Sequence, residues 1–80
     1  MKTTLATLKK GQKATITDFN LDAIPLKLLE MGCLPGNVVE LLQVAPLGDP
    51  LYINVNDSHV AIRRETALEI DVELLNGTSL

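Results

Sequence analysis

The stretch Leu28 to Gly36, LLEMGCLPG, followed directly by Val38-Val39-Glu40-Leu41-Leu42, constrains this chain more than any other segment. Leu28 to Met31 reads as the last turn of a short helix. Gly32 can take the left-handed conformation that ends a helix, which a residue with a Cβ resists. Pro35 fixes φ and Gly36 permits a positive one, so Leu34-Pro35-Gly36-Asn37 suits a type II turn. The β-branched and leucine run that follows reads as a buried strand. A second punctuated joint, Ala45-Pro46-Leu47-Gly48-Asp49-Pro50, separates that strand from the next. Both joints specify geometry, and neither holds catalytic chemistry.

Around these joints the periodicity defines the remaining elements. Leu5 and Leu8 lie one helical turn apart and are stopped by Gly11, which reads as a short anchor sealing one end of the core. From Gln12 to Leu21 the pattern is strand-like, with Ala14 and Ile16 alternating with Thr15 and Thr17. Phe19 and Leu21 carry the alternation on with opposite parity, which calls for a bulge or bend near Asp18. Asp22 is the expected N-cap of a helix over Ala23 to Met31, with Pro25 tolerated in its first turn. Ile24, Leu28 and Met31 then share the inner face, and Leu26 and Lys27 point outward. Such a helix is too short to stand alone in water and must pack on the sheet.

Asn37 to Ala45 and Leu51 to Val55 read as strands, the latter with Leu51, Ile53 and Val55 inward and Tyr52 and Asn54 outward. Asn56-Asp57-Ser58 is turn chemistry, and His59 to Arg63 returns as the other arm of a hairpin. Glu65-Thr66-Ala67 suits one helical turn, and Glu69 to Leu74 forms a closing strand with Ile70 and Val72 buried. About five short strands with one inserted helix predict a small, all-β, partly open barrel, since closing a sheet hides its edges. The reading places a single domain over residues 1–75 and a frayed tail over Asn76 to Leu80.

With 80 residues, the chain allows one domain that buries only about two-thirds of its unfolded surface. Its core is aliphatic, because Phe19 and Tyr52 are the only aromatics. The net charge of −3 disfavours nucleic acid, whose phosphates are bound chiefly by Lys and Arg. The clusters Lys9-Lys10-Gln12-Lys13 and Arg63-Arg64 lack neighbouring aromatics for base stacking and read as solvated surface charge. Cys33 stands alone, so no intrachain disulfide forms and a reducing compartment is expected. No signal-peptide core and no apolar run of about 20 residues is present, so the expected location is the cytoplasm.

An enzymatic reading fails on inventory. The sequence has no phosphate-cradling glycine loop and no metal spacing such as C-x-x-C or H-E-x-x-H, and no cofactor is expected. Cys33 and His59 could form a nucleophile and base, and with Asp57 a poor metal site. Cys33 between Gly32 and Leu34 is better read as packing, and His59 as an exposed hairpin residue. Glu65, Glu69, Asp71 and Glu73 read as a solvated face. Interaction is the stronger prospect: Leu26, Leu34, Leu47 and Tyr52 sit where the pattern points outward or lies in a loop, and an apolar patch built from them would mark a partner surface. Lys27 accompanies Leu26 on the outward side of the helix.

Taken in order, L-x-x-L-x-x-G at Leu5 to Gly11, LLEMG, LPG, APLGDPL from Ala45 to Leu51, and AIRRETALEIDVE from Ala61 to Glu73 resemble the FeoA family. These are small cytoplasmic accessory proteins of bacterial ferrous iron uptake, and the resemblance runs from Thr4 to Glu73. It implies an SH3-like β-barrel with an inserted helix and association with FeoB, a membrane permease carrying a GTP-binding domain. Proline-rich peptide binding does not follow, because such grooves are lined with aromatics. Many family members carry an arginine where this chain has Pro25-Leu26-Lys27, and lysine lacks the planar bidentate fork. The same fold in iron-dependent repressors makes a detached regulatory subunit the alternative. A metal-binding carrier is the third reading.

Overall fold

In-out alternation of aliphatic residues, interrupted at two points, sets up a sheet that is buried on one side. The computed structural model describes residues 2–75. The elements follow as β1 (Lys2–Thr4), a 3₁₀ turn (Leu5–Thr7), β2 (Lys13–Phe19), a second 3₁₀ turn (Leu21–Ala23), α1 (Leu26–Glu30), β3 (Val38–Val44), β4 (Leu51–Val55), β5 (Ser58–Ile62), α2 (Arg64–Ala67) and β6 (Ile70–Leu74). Among the described residues the six strands form one antiparallel sheet, ordered β1-β6-β2-β3-β4-β5. β1 and β5 are its two edges and do not pair, so the barrel stays open. The expected frayed tail at 76–80 lies outside the described residues.

The inward faces meet in one aliphatic cluster. Leu5, Ala14, Ile16, Val39, Leu41, Ile53, Val55, Ile70 and Val72 are fully or almost fully buried within it. Burying each Leu, Ile or Val is worth about 1.5–3 kcal/mol. The Leu5 turn seals one end as expected, with Leu8 buried one turn on. The register of β2 against β6 shifts between Ile16 and Asp18, where the change of parity calls for a bulge. A second shift, between Leu41 and Gln43 in β3, has no such signal in the sequence.

Three expectations are corrected. First, Lys2–Thr4 adds a sixth strand beside β6, because Thr3 and Thr4 find pairing partners in Val72 and Asp71. Second, the helix is broken in two. Pro25 forces Ile24 into extended backbone (φ −101°, ψ 120°), so a 3₁₀ turn precedes α1. Asn20, not Asp22, caps that turn: its side-chain oxygen accepts from the Asp22 amide at 3.2 Å. Third, the break leaves Leu21 63% exposed, so only Phe19 of that pair packs against the core.

Candidate interaction surface

The LLEMGCLPG joint folds as its chemistry requires. Gly32 takes φ +104°, with its amide bonded to the Leu29 carbonyl at 3.1 Å and the Cys33 amide bonded to the Leu28 carbonyl at 3.0 Å. This pair of bonds is the Schellman closure of a helix. The Asn37 side chain donates to the Gly32 carbonyl at 2.7 Å, and Gly36, at φ +94°, turns the chain into β3. Cys33 fills space beneath the joint and is completely buried. Burial raises its thiol pKa by penalising the thiolate, so the residue is shielded both sterically and chemically. In the native protein, alkylation by iodoacetamide at pH 8 is expected to be slower than in denaturant by about two orders of magnitude or more, measured by mass spectrometry. Comparable rates would show that the joint opens readily. The sign for stability follows from the raised pKa: the contribution is constant below the unfolded thiol's pKa and declines as pH rises through the folded one.

His59 lies on β5 and Asp57 in the β4–β5 turn, both exposed and on a different element from buried Cys33. Among the described residues no group of three or more His, Cys, Asp or Glu side chains is arranged to hold a metal ion. Glu65, Glu69, Asp71 and Glu73 are all exposed.

The four apolar candidates are exposed at different places: Leu26 (69%) on α1, Leu34 on the turn into β3, Leu47 (96%) at the tip of the β3–β4 loop, and Tyr52 on β4. A groove of about 400 Å³ runs between α1 and β5, with Leu28, Met31, Val60 and Ile62 along it and Lys27 and Arg63 at its rim. A second depression, about 410 Å³, lies against Tyr52, Leu42 and Gln43. His59, Val60 and Ala61 of β5 line both. The structure therefore brings Lys27 and Tyr52 to opposite sides of β5, while Leu26, Leu34 and Leu47 line neither groove. Leu21, Val38 and Leu68 are further exposed apolar residues outside the expected set.

Arg64 departs from the reading of Arg63-Arg64 as solvated charge. Its Nε donates to the Gly48 carbonyl at 2.9 Å and its Nη1 to the Ala6 carbonyl at 3.0 Å. Its backbone amide donates to Asp49 Oδ1 at 2.9 Å, so a loop carboxylate caps α2 from a distance. Arg63 remains largely solvated, with only a loose 3.8 Å contact to Asp49. Arg64 thus ties the first turn, the β3–β4 loop and α2 together. No spacing rule reveals this, because the three segments meet only in the fold.

Comparison with known proteins accords with this architecture. Residues 3–74 match the FeoA domain family. Over 76 residues the chain is 37% identical to the Fe(2+) transport protein A/Fe(2+) transporter FeoB fusion protein of Porphyromonas gingivalis (strain ATCC BAA-308 / W83), covering 94% of this chain and 9% of that protein. The solution structure of the FeoA protein from Chlorobium tepidum superimposes with a TM-score of 0.84 at 35% identity, over 92% of this chain and 71% of that one. The zinc complex of Stenotrophomonas maltophilia FeoA, described as an SH3 domain protein, gives a TM-score of 0.71 at 26% identity, over 94% and 92% of the two chains. T. acidophilum IdeR shares the fold alone, at 19% identity and a TM-score of 0.76, over 92% of this chain and 34% of that one. No helix among the described residues is long and apolar enough to cross a membrane. With a family match spanning nearly its whole length and an open six-stranded SH3-like sheet, this chain belongs to the FeoA family.

Proposed function

We propose that this chain is a non-catalytic accessory module of ferrous iron import that works by binding a FeoB-type membrane permease at its cytoplasmic side. The observation that carries this reading is the fusion relative, in which a segment 37% identical to this chain shares one polypeptide with FeoB. Fusion holds two partners at high effective concentration, which is useful where their separate forms associate. The surface suits the role: exposed aliphatic side chains on α1 and on the β3–β4 loop offer contact area.

Deleting the protein is expected to impair ferrous iron uptake, and the tagged chain is expected to co-purify with the permease. Normal uptake together with no co-purification would overturn the reading. Leu26→Glu and Leu47→Glu change the surface only and should alter stability by no more than about 0.5 kcal/mol. Their combination is expected to reduce permease recovery in the same pull-down, and undiminished recovery would remove both residues from the contact. The shared fold with IdeR motivates a second reading, a detached regulatory subunit. Recovery of a repressor in place of a permease would favour it.

A further inference from the structure

The β4–β5 hairpin fixes which main-chain groups of β5 are spoken for. Asn56 and Asp57 both take positive φ (51° and 62°), giving a two-residue type I′ turn closed by the Val55–Ser58 pair. In such a hairpin the hydrogen-bonded and non-hydrogen-bonded pairs alternate from the turn. Ser58, Val60 and Ile62 therefore direct their peptide groups toward β4. His59 and Ala61, opposite Asn54 and Tyr52, direct theirs away from the sheet. β5 ends the strand order, and among the described residues no hydrogen bond engages the outward amides or carbonyls of His59 and Ala61.

Open edges are normally blunted by Lys or Pro on the strand, by a bulge, or by a covering element. The β5 sequence, Ser-His-Val-Ala-Ile, has none of these residues, and its register with β4 is unbroken. The neighbouring helix α1 stands off and leaves the groove of about 400 Å³. The other edge, β1, is only three residues long and carries Lys2. The charge of the groove is equally one-sided. The chain carries a net −3, yet Lys27 and Arg63 rim the groove and no carboxylate lines it. Arg63 keeps a 73% exposed side chain despite its loose contact with Asp49.

The geometry points to the β5 edge as a strand-addition site for an extended, acidic segment of a partner polypeptide. The outward peptide groups of His59 and Ala61 pair with its main chain. Its inward side chains lie along Leu28 of α1 and Met31 just past the helix end, and its carboxylates meet Lys27 and Arg63. This inference rests on the interaction-module reading, to which it adds the docking edge and the chemistry of the docked segment.

The test uses the intact ¹⁵N-labelled chain and a capped ten-residue peptide in which valine alternates with glutamate and threonine. A matching peptide with lysine in place of glutamate serves as its charge-reversed counterpart. The acidic peptide is expected to shift, and protect from exchange, the His59 and Ala61 amides, with a Kd between about 10 μM and 1 mM. The lysine peptide should bind about tenfold more weakly or worse. Ala61→Pro removes one outward amide at an edge position where proline is tolerated, and should cost about tenfold in affinity. The double variant Lys27→Glu, Arg63→Glu leaves the strand untouched and should reverse the preference between peptides. Absence of binding at about 1 mM, shifts confined to β1, or acidic-peptide affinity unchanged in the double variant would each overturn the site. Concentration-dependent protection of His59 and Ala61 without peptide would assign the edge to a second copy and overturn it likewise. Permease co-purification reports separately: if it persists in the double variant while peptide binding is lost, the accessory role stands without a permease contact at this edge.

Discussion

Gly32→Ala is expected to destabilise the protein by about 2–4 kcal/mol, lowering Tm by about 10–25 °C in thermal unfolding followed by circular dichroism. Two penalties combine. The backbone there sits at φ +104°, which a Cβ disfavours. A Cβ at this position would also stand 2.8 Å from the Cβ of Asn56, an atom that cannot move without shifting the hairpin turn. Gly36→Ala separates the two effects, because φ is similar (+94°) and nothing lies within 4 Å, so only about 1 kcal/mol should be lost. Adding Asn56→Gly to Gly32→Ala removes the opposing Cβ, and should make the double variant more stable than additivity allows by about 1 kcal/mol. Equal melting of Gly32→Ala and Gly36→Ala would show that the contact with the hairpin carries no energy.

Arg64→Ala is expected to cost about 2–3 kcal/mol by the same measurement. The substitution strips a charge-assisted donor from both the Gly48 and the Ala6 carbonyls, which belong to segments far apart in sequence. Arg64→Lys should recover less than half of the loss, because one ammonium cannot reproduce the planar fork spanning both carbonyls. The neighbouring Arg63→Ala makes a useful contrast. Its contact with Asp49 is long and exposed, so its effect should fall within about 0.5 kcal/mol. Similar losses at both positions would dissolve the distinction between clip and solvated charge.

Much of the fold was legible because it rests on local rules. Alternation in Leu51–Val55, turn chemistry at Asn56-Asp57 and the parity change near Asp18 each depend on neighbours in sequence. The misread places depend on competition between rules or on distant pairing. Ala23 to Met31 has helical composition, yet Pro25 constrains Ile24 and splits the run. Lys2–Thr4 becomes a strand only because β6, some seventy residues on, offers it an edge. Of the candidate residues, only the exposure was legible in part. Outward-pointing Leu26 and Lys27 follow from helical periodicity, whereas the groove between α1 and β5 has no counterpart in the sequence, since neither element records where the other packs.

The helix-ending joint shows where that boundary lies. Sequence alone determined that Gly32 closes a helix, that Pro35-Gly36 turns the chain, and that Val38–Val44 continues as a strand, because glycine and proline act through the backbone torsions of their own residues. The tertiary structure alone decided that Asn56 packs against Gly32, that Arg64 clips the first turn to the β3–β4 loop, and that β5 ends the sheet. Those outcomes are set by which segments chain folding brings within a few ångströms of each other, and no local torsion carries that information.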